Sequence, residues 1–533
     1  MAVLFLCACS PGTDTTVQSQ LFCDNLKEIN SGSIDAGDAT DIAIQSLTTA
    51  AMLAASPPSL KEDWLTVHEA ITAWAAAITG EQSMLDTFDK LTASELVRAQ
   101  GRITDYIATH CGLNLGGPQW NAAEAPEIGN RCEAWPRFIT PKSSNHFPNL
   151  PDIAGSNYFG QNIVISKLAH FFGLKKLRSA FVVEPGGSIE FRGQYPKARY
   201  FAYHPNDMNL NNLPTLRDKD LEPDPGSINP FRETRLATTP NYYTARLVFD
   251  SAPEKVVLNG DRLRPSNTRY VGKTKEGTAD NKFMINLMRM YHVDAGNIAS
   301  SGDVPLPAMR IFDADGKLVQ DFPECDPFPS GASEIVTERI FPAMPLIDNR
   351  SSLKPTWSTS SNFDAASDTM ANADVQYVAT TYSSRHDELL VIRAKYLTAP
   401  DTRGGEAVAS SAHQVRLYNL CTYNFWNGAA IHCRLENELR RDEDGFYTIV
   451  ASKAKHAPSN LADTDATWMD TGVFLDGQFQ FRYVYRENPY VQAIAKGVMG
   501  EDVAEEYRDY IPKAAHCSKL VYEQDGWRGC LEP

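Results

Sequence analysis

Side chains able to do acid–base or ligand chemistry cluster in the stretch RYFAYHPND, where Tyr203, His204, Asn206 and Asp207 stand close together. A histidine with an aspartate three residues on can be oriented as a general base, or can join distant carboxylates around a metal. The same letters also spell an ordinary turn, because Asn and Asp side chains bond the local backbone and Pro fixes φ. The expected placement is a loop after a strand, with His204 and Asp207 as acid–base candidates and Tyr203 and Asn206 as ligand contacts. Phe425 and Trp426 form a second candidate. Between Cys421 and Cys433 they would sit on a stiff loop, able to stack on a sugar or a partner protein, or else to cap the core. His386, Asp387 and Glu388 are contiguous, but neighbouring strand residues face opposite ways, which makes them a solvated strand entrance rather than an ion site.

Familiar reaction classes leave no trace. The sequence has no G-x-S-x-G elbow, no H-E-x-x-H helix, no Walker loop and no dinucleotide fingerprint, so no cofactor is expected. It has no C-x2-C pair for zinc, and DADG at 313–316 lacks the remaining acidic ligands of a calcium loop, so no metal is expected either. A formal charge of -16 without a basic run argues against nucleic acid, whose affinity is built from clustered Lys and Arg.

The N-terminus reads MAVLFLCACSPGTDTT. Leu6, Cys7, Ala8 and Cys9 resemble the bacterial lipobox, whose cysteine is acylated and becomes the first mature residue. That resemblance implies export and an acyl anchor on Cys9 as the contact with the membrane. Ser10 is similar to the residue that follows the anchor in Gram-negative lipoproteins sent to the outer membrane. The apolar run is short and no Lys or Arg precedes it, so the true start is expected further upstream. Removal of Cys7 and acylation of Cys9 would leave an even eight of the 10 cysteines. Spacing pairs Cys421 with Cys433 and Cys517 with Cys530; Cys23 and Cys111 bracket a helical region; Cys132 and Cys325 remain by elimination.

The elements that must position these residues fall into two classes. Residues 1–22 read as signal and flexible tether, and residues 23–112 as a small helical bundle in which Trp64, Val67, Ile71, Trp74 and Ile78 form one buried stripe. Beyond a Gly- and Pro-rich junction the pattern turns to alternation. A first β unit is expected over 145–320, including a hairpin that turns at Asp315 and Gly316, then a long connection over 321–374. A second β unit over 375–533 ends in a short helix and a disulfide-closed cap. Four segments recur in order: IEFRGQYP with LVIRAKYL, ARYFAYHPN with VRLYNLCTYN, YYTARLVF with FYTIVASK, and FMINLMRMYHV with FQFRYVYRENP. The recurrence is consistent with an internal duplication. The fold class is therefore α+β: a helical bundle followed by two β-sandwich, jelly-roll-like units.

The segments Gly193–Ala202 and Asp224–Phe231 carry G-x-[FY]-P-x-A-R-Y and D-P-G-S-x-N-P-F patterns. In these the chain resembles a family of uncharacterised exported bacterial proteins, many of them lipoproteins. The resemblance spans most of the sequence beyond about residue 145 and implies a β-sandwich, with no catalytic residue to carry over. The function expected is an exported, lipid-anchored envelope protein that binds a partner protein or glycan without catalysis. The alternative is a hydrolase or lyase acting on an envelope polymer or glycan from a β-sandwich cleft.

Overall fold

The computed structural model describes residues 15–28, 49–50, 52–78, 94–112, 157–166, 181–207, 211–233, 241–252, 265–281, 283–291, 302–325, 355–359, 372–408, 413–424, 430–472 and 476–532. The lipobox with Cys9, Cys132, Phe425 and Trp426 lie outside them.

Three helices come first: α1 (Thr15–Glu28), α2 (Lys61–Ile78) and α3 (Ser94–Cys111). Trp64, Val67 and Ile71 of the expected stripe are buried on α2. The Phe22 ring of α1 meets Trp64 at 6.4 Å and Tyr106 of α3 at 6.0 Å between centroids. The Cys23–Cys111 disulfide ties α1 to α3, as expected. On the α2–α3 contact Arg102 donates to Asp63, a carboxylate only 5% exposed. The expected tether needs correction, because helix replaces it from Thr15 onward. Phe22 and Cys23 are buried while Gln20, Leu21 and Asp24 face out, a stripe too narrow to register as periodicity. Tertiary contact, not propensity, holds this helix.

The β region begins with β1 (Asn157–Ser166), β2 (Phe181–Val183), β3 (Ser188–Gln194), β4 (Tyr200–Asn206) and β5 (Leu216–Arg217). It continues with β6 (Tyr242–Val248), β7 (Thr268–Tyr270), β8 (Phe283–Tyr291), β9 (Ala308–Phe312) and β10 (Leu318–Phe322). These make two sheets, ordered β2-β1-β8-β4-β5 and β10-β9-β3-β6-β7. Their inward residues share one core, with Phe201, Tyr203 and Met288 from the first sheet against Phe191, Tyr243 and Ile311 from the second. The β9–β10 hairpin turns where expected, with Gly316 at φ 78, a backbone state that Gly adopts without steric cost. Gly193 serves differently: a Cβ there would stand 2.8 Å from Pro307 Cγ, so β3 needs it to lie under the chain entering β9.

After β11 (Trp357–Thr359), a strand inside the expected connection, come β12 (Val375–Ser383), β13 (Leu389–Lys395), β14 (Leu417–Asn424) and β15 (Ala430–Leu435). β16 (Phe446–Ser452), β17 (Ala466–Asp470), β18 (Asp476–Val484) and β19 (Lys513–Cys517) complete the set. Two further sheets result, β11-β12-β18-β14-β15 and β17-β16-β13-β19. They too enclose one core, with Leu420, Phe479 and Phe481 against Ile392, Ile449 and Ala451. Helix α4 (Pro489–Val498) is capped by Asn488, and α5 (Lys519–Leu531) is tied to β19 by the expected Cys517–Cys530 bridge. The expected Cys421–Cys433 bridge crosses directly opposed positions of β14 and β15. Cys325 is also disulfide-bonded.

The two sheet pairs are wired alike. Strands β1, β3, β4, β5, β6, β7, β8 and β9 match β12 to β19 in chain order, with the same partners and the same sense at every shared pairing. The second sheets agree as well, antiparallel for β3–β6 and β3–β9 as for β13–β16 and β13–β19, and parallel for β6–β7 as for β16–β17. Those parallel edges depart from an all-antiparallel jelly roll, since each short edge strand returns by a crossover instead of a hairpin.

Candidate functional site

The expected open loop around His204 is not what forms. β4 runs through His204 to Asn206, and all seven of its residues are buried. Alternation sends Phe201 and Tyr203 into the shared core of the first two sheets and Tyr200, Ala202 and His204 to the opposite face. Tyr203 is thus a core residue, stacked on Phe191 at 5.1 Å with its hydroxyl 2.8 Å from that of Tyr243. Pro205 lies inside the strand, its carbonyl accepting from Leu213 N. Asn206 Nδ2 donates to the His204 carbonyl at 3.0 Å. Asp207 ends the strand as a turn former, its carboxylate accepting the Asn211 and Lys275 backbone N–H groups at 2.9 and 2.8 Å. His204 and Asp207 therefore do not form an acid–base pair.

His204 instead ends a buried chain of hydrogen bonds. The Tyr200 hydroxyl lies 2.6 Å from Asp374 Oδ2 and 3.0 Å from His204 Nε2. A hydroxyl has one proton, and the short contact to a carboxylate takes it, so His204 donates through Nε2–H and keeps Nδ1 as the bare nitrogen. Burial, reinforced by the charges of Arg289 and Arg217, holds its pKa well below the ordinary histidine value and the ring stays neutral. Burial and the nearby Asp374 raise the Tyr200 pKa, which keeps the phenol protonated. Asp374 also accepts Thr215 Oγ1 at 3.0 Å and Arg217 Nε at 2.7 Å. A histidine 0% exposed cannot reach a proton on a bound substrate.

Asp374 immediately precedes β12, so this chain of bonds crosses from the first sheet pair to the second. Two further crossings are ion pairs between fully buried side chains, Arg199 with Glu436 and Arg416 with Asp218. They are reciprocal. Arg199 immediately precedes β4 and Arg416 immediately precedes β14, the matching strand; Asp218 follows β5 and Glu436 follows β15, again matching strands. Each arginine thus reaches the acid that follows its partner's hairpin, the pattern of a two-fold interface. Tyr485 OH adds 2.8 Å to Asp218, and Tyr200, Tyr291, Val375, Leu417 and Val484 fill the apolar centre.

Beside this junction opens a cleft of about 690 Å³ with walls from both sheet pairs. Arg217, Arg269, Lys273, Lys275 and Arg486 line it against Asp220, Asp250 and Asp374. Arg217 is committed to Asp374 and Glu487, and Lys273 to Asp280. Arg269 is held by the Thr215, Ser266 and Thr268 carbonyls and has no carboxylate partner among the described residues. Burial lowers its pKa. Lys275 and Arg486 are exposed, and neither makes an ion pair among the described residues. Tyr270 and Asn212 lie on the same wall.

No protein-family model and no curated protein matches this sequence. Two of the solved structures similar to it follow. An uncharacterised protein of Burkholderia cenocepacia aligns at 13% identity over 78% of this chain and 95% of its own, with a TM-score of 0.36. A protein of Vibrio parahaemolyticus aligns at 13% identity over 62% of this chain and 85% of its own, with a TM-score of 0.29.

Among the described residues no group of His, Cys, Asp and Glu could hold a metal ion, and no helix is long and apolar enough to cross a membrane. Sequence reasoning missed Asp374, Arg217, Arg269 and Arg486, which come together only in the tertiary fold. One signal was present: matching ARYFAYHPN to VRLYNLCTYN sets Arg199 over Arg416.

Proposed function

We propose that this chain is an exported cell-envelope lipoprotein anchored through Cys9, in which two β-sandwich units derived by duplication hold a glycan-binding cleft between them. The observation that carries the binding reading is the inter-unit cleft: it is open, it draws on both units, and it keeps Lys275 and Arg486, which make no ion pair among the described residues. The candidate base of the hydrolase or lyase reading, His204, is sealed and neutral, which favours binding over catalysis. Duplication is supported by the eight strands wired alike and by the reciprocal ion pairs; all four recurrent sequence segments fall on matching strands, β3 with β13, β4 with β14, β6 with β16 and β8 with β18. Export is supported by the Cys23–Cys111, Cys421–Cys433 and Cys517–Cys530 bridges, which persist in oxidising compartments.

The test is a binding screen of the purified protein against envelope and extracellular polysaccharides, with products assayed in the same wells. Retention without cleavage is the expected result. Release of shortened or unsaturated products would replace the binding reading with the enzymatic one. Intact mass of the membrane-extracted native protein tests the anchor: a diacyl or triacyl mass on Cys9 is expected, and an unmodified Cys9 would remove it.

A further inference from the structure

Resting on the glycan reading above, we propose that the inter-unit cleft selects saccharides that carry an anionic group, with Arg269, Lys275 and Arg486 taking the acid and Tyr270, Asp220 and Asp250 taking the sugar ring and its hydroxyls. The whole chain carries a formal charge of -16, with 50 basic against 66 acidic residues, yet this cleft is lined by more bases than acids. A cleft of opposite sign to its surroundings focuses potential on an incoming anion. Within it the cations divide into two sets. Arg217 and Lys273 are neutralised by Asp374, Glu487 and Asp280. Arg269, Lys275 and Arg486 make no direct ion pair among the described residues, although Asp220 and Asp250 line the same cleft; the charge of Asp220 reaches Arg269 without a direct bond, and Asp250 accepts the Ser251 backbone N–H.

That arrangement needs an explanation. Guanidinium and carboxylate groups that share one cleft without bonding each other suit a ligand that offers acceptor oxygens to the first and hydroxyl donors to the second. An acidic sugar does both, since each ring hydroxyl can donate to a carboxylate while its acid accepts N–H bonds from Arg486, Lys275 and the remaining Nη2 of Arg269. The half-buried Tyr270 has no side-chain hydrogen bond among the described residues and supplies an aromatic ring of the kind that packs on the C–H face of a pyranose. Bonds to three carbonyls hold the Arg269 guanidinium in place before any ligand arrives, which lowers the entropy cost of binding.

The experiment is isothermal titration of the full chain with four probes: oligogalacturonate, its fully methyl-esterified form, a sulfated galactan oligosaccharide, and inorganic phosphate or sulfate as competitor. The expected result is binding of one or both acidic oligosaccharides at least tenfold more tightly than the ester, weakening with added salt. The arms separate carboxylate from sulfate as the recognised acid. Arg486→Gln and Lys275→Gln, whose side chains make no hydrogen bond or ion pair among the described residues, are each expected to weaken binding about tenfold, the scale of one charge-assisted hydrogen bond. Lys455→Gln, on an exposed turn elsewhere, should not. Arg269→Gln should abolish acid selectivity; because it also frees three carbonyls, its folding is checked by circular dichroism. Equal binding of acid and ester overturns acid selection while leaving the glycan reading intact. Full displacement by millimolar phosphate or sulfate reduces the cleft to a simple anion site and overturns the saccharide part. Absence of binding to every oligosaccharide defeats both readings.

Discussion

Replacing Glu436 by Gln removes the carboxylate that faces Arg199 at the junction of the two sheet pairs. Both side chains are 1% exposed, so the arginine left behind cannot be rescued by water. Breaking a buried pair by removing one partner costs about 3–5 kcal/mol. Asp401, with its nearest oxygen 3.8 Å from Arg199 Nε and its side chain 46% exposed, remains as a weak substitute and places the expectation near 3 kcal/mol. The reverse side of this reasoning is the more discriminating. Burial raises the Glu436 pKa even though Arg199 pulls it down, so desolvation outweighs the attraction. A volume-matched apolar pair, Arg199→Met with Glu436→Leu, should therefore be as stable as the parent chain or more so. Urea unfolding followed by tryptophan fluorescence and by far-ultraviolet circular dichroism measures all three variants. Either single change, Arg199→Met or Glu436→Gln, should lower the midpoint, and the double change should restore it. A double variant as unstable as the singles would refute the argument, because the pair would then be a net source of stability.

Four further outcomes are expected. Asp374→Asn should cost about 1–3 kcal/mol by weakening its bonds to Tyr200, Thr215 and Arg217, and Tyr200→Phe should cost less when Asp374 is already changed, a coupling read from a double-mutant cycle. His432 is held at about 4, by burial first and by the charge of Arg434 second, so it is neutral in the fold. Its contribution is complete above pH 6.5 and lost as pH falls toward 4, a difference of roughly 3 kcal/mol. The pH slope of urea midpoints between 7 and 4.5 should flatten in His432→Gln, and an unchanged slope would remove this role. Cys421→Ala with Cys433→Ala opens a loop whose closure is worth about 3 kcal/mol, measured as a lower melting temperature that added reductant does not lower further at that bridge. His204 should resist diethyl pyrocarbonate in the native protein, and rapid modification traced to it by peptide mass would show that the ring is accessible.

Local pattern carried much of the architecture. The three- and four-residue steps from Trp64 to Ile71 announce α2, and the alternation around Phe201 and Tyr203 announces β4. The Cys421–Cys433 and Cys517–Cys530 bridges followed from short spacing alone, because nearby thiols on a hairpin or a cap meet readily. What failed was burial. His204, Asn206 and Asp207 look like an exposed turn because nothing local tells that a second pair of sheets seals the outer face of β4. The cleft is harder still: its walls come from segments near residues 212–220, 250, 269–275, 374 and 486, and no one of them is unusual by itself. The one trace in the sequence is that Arg199 falls over Arg416 when the recurrent segments are matched.

The reciprocal pairing at that junction has a consequence for association. A surface that is its own complement is used up once two matching faces meet, and here both faces belong to one polypeptide. The Arg199 and Arg416 sockets are each filled from within, so this face leaves no vacant half to recruit another molecule. Growth into filaments through it is foreclosed.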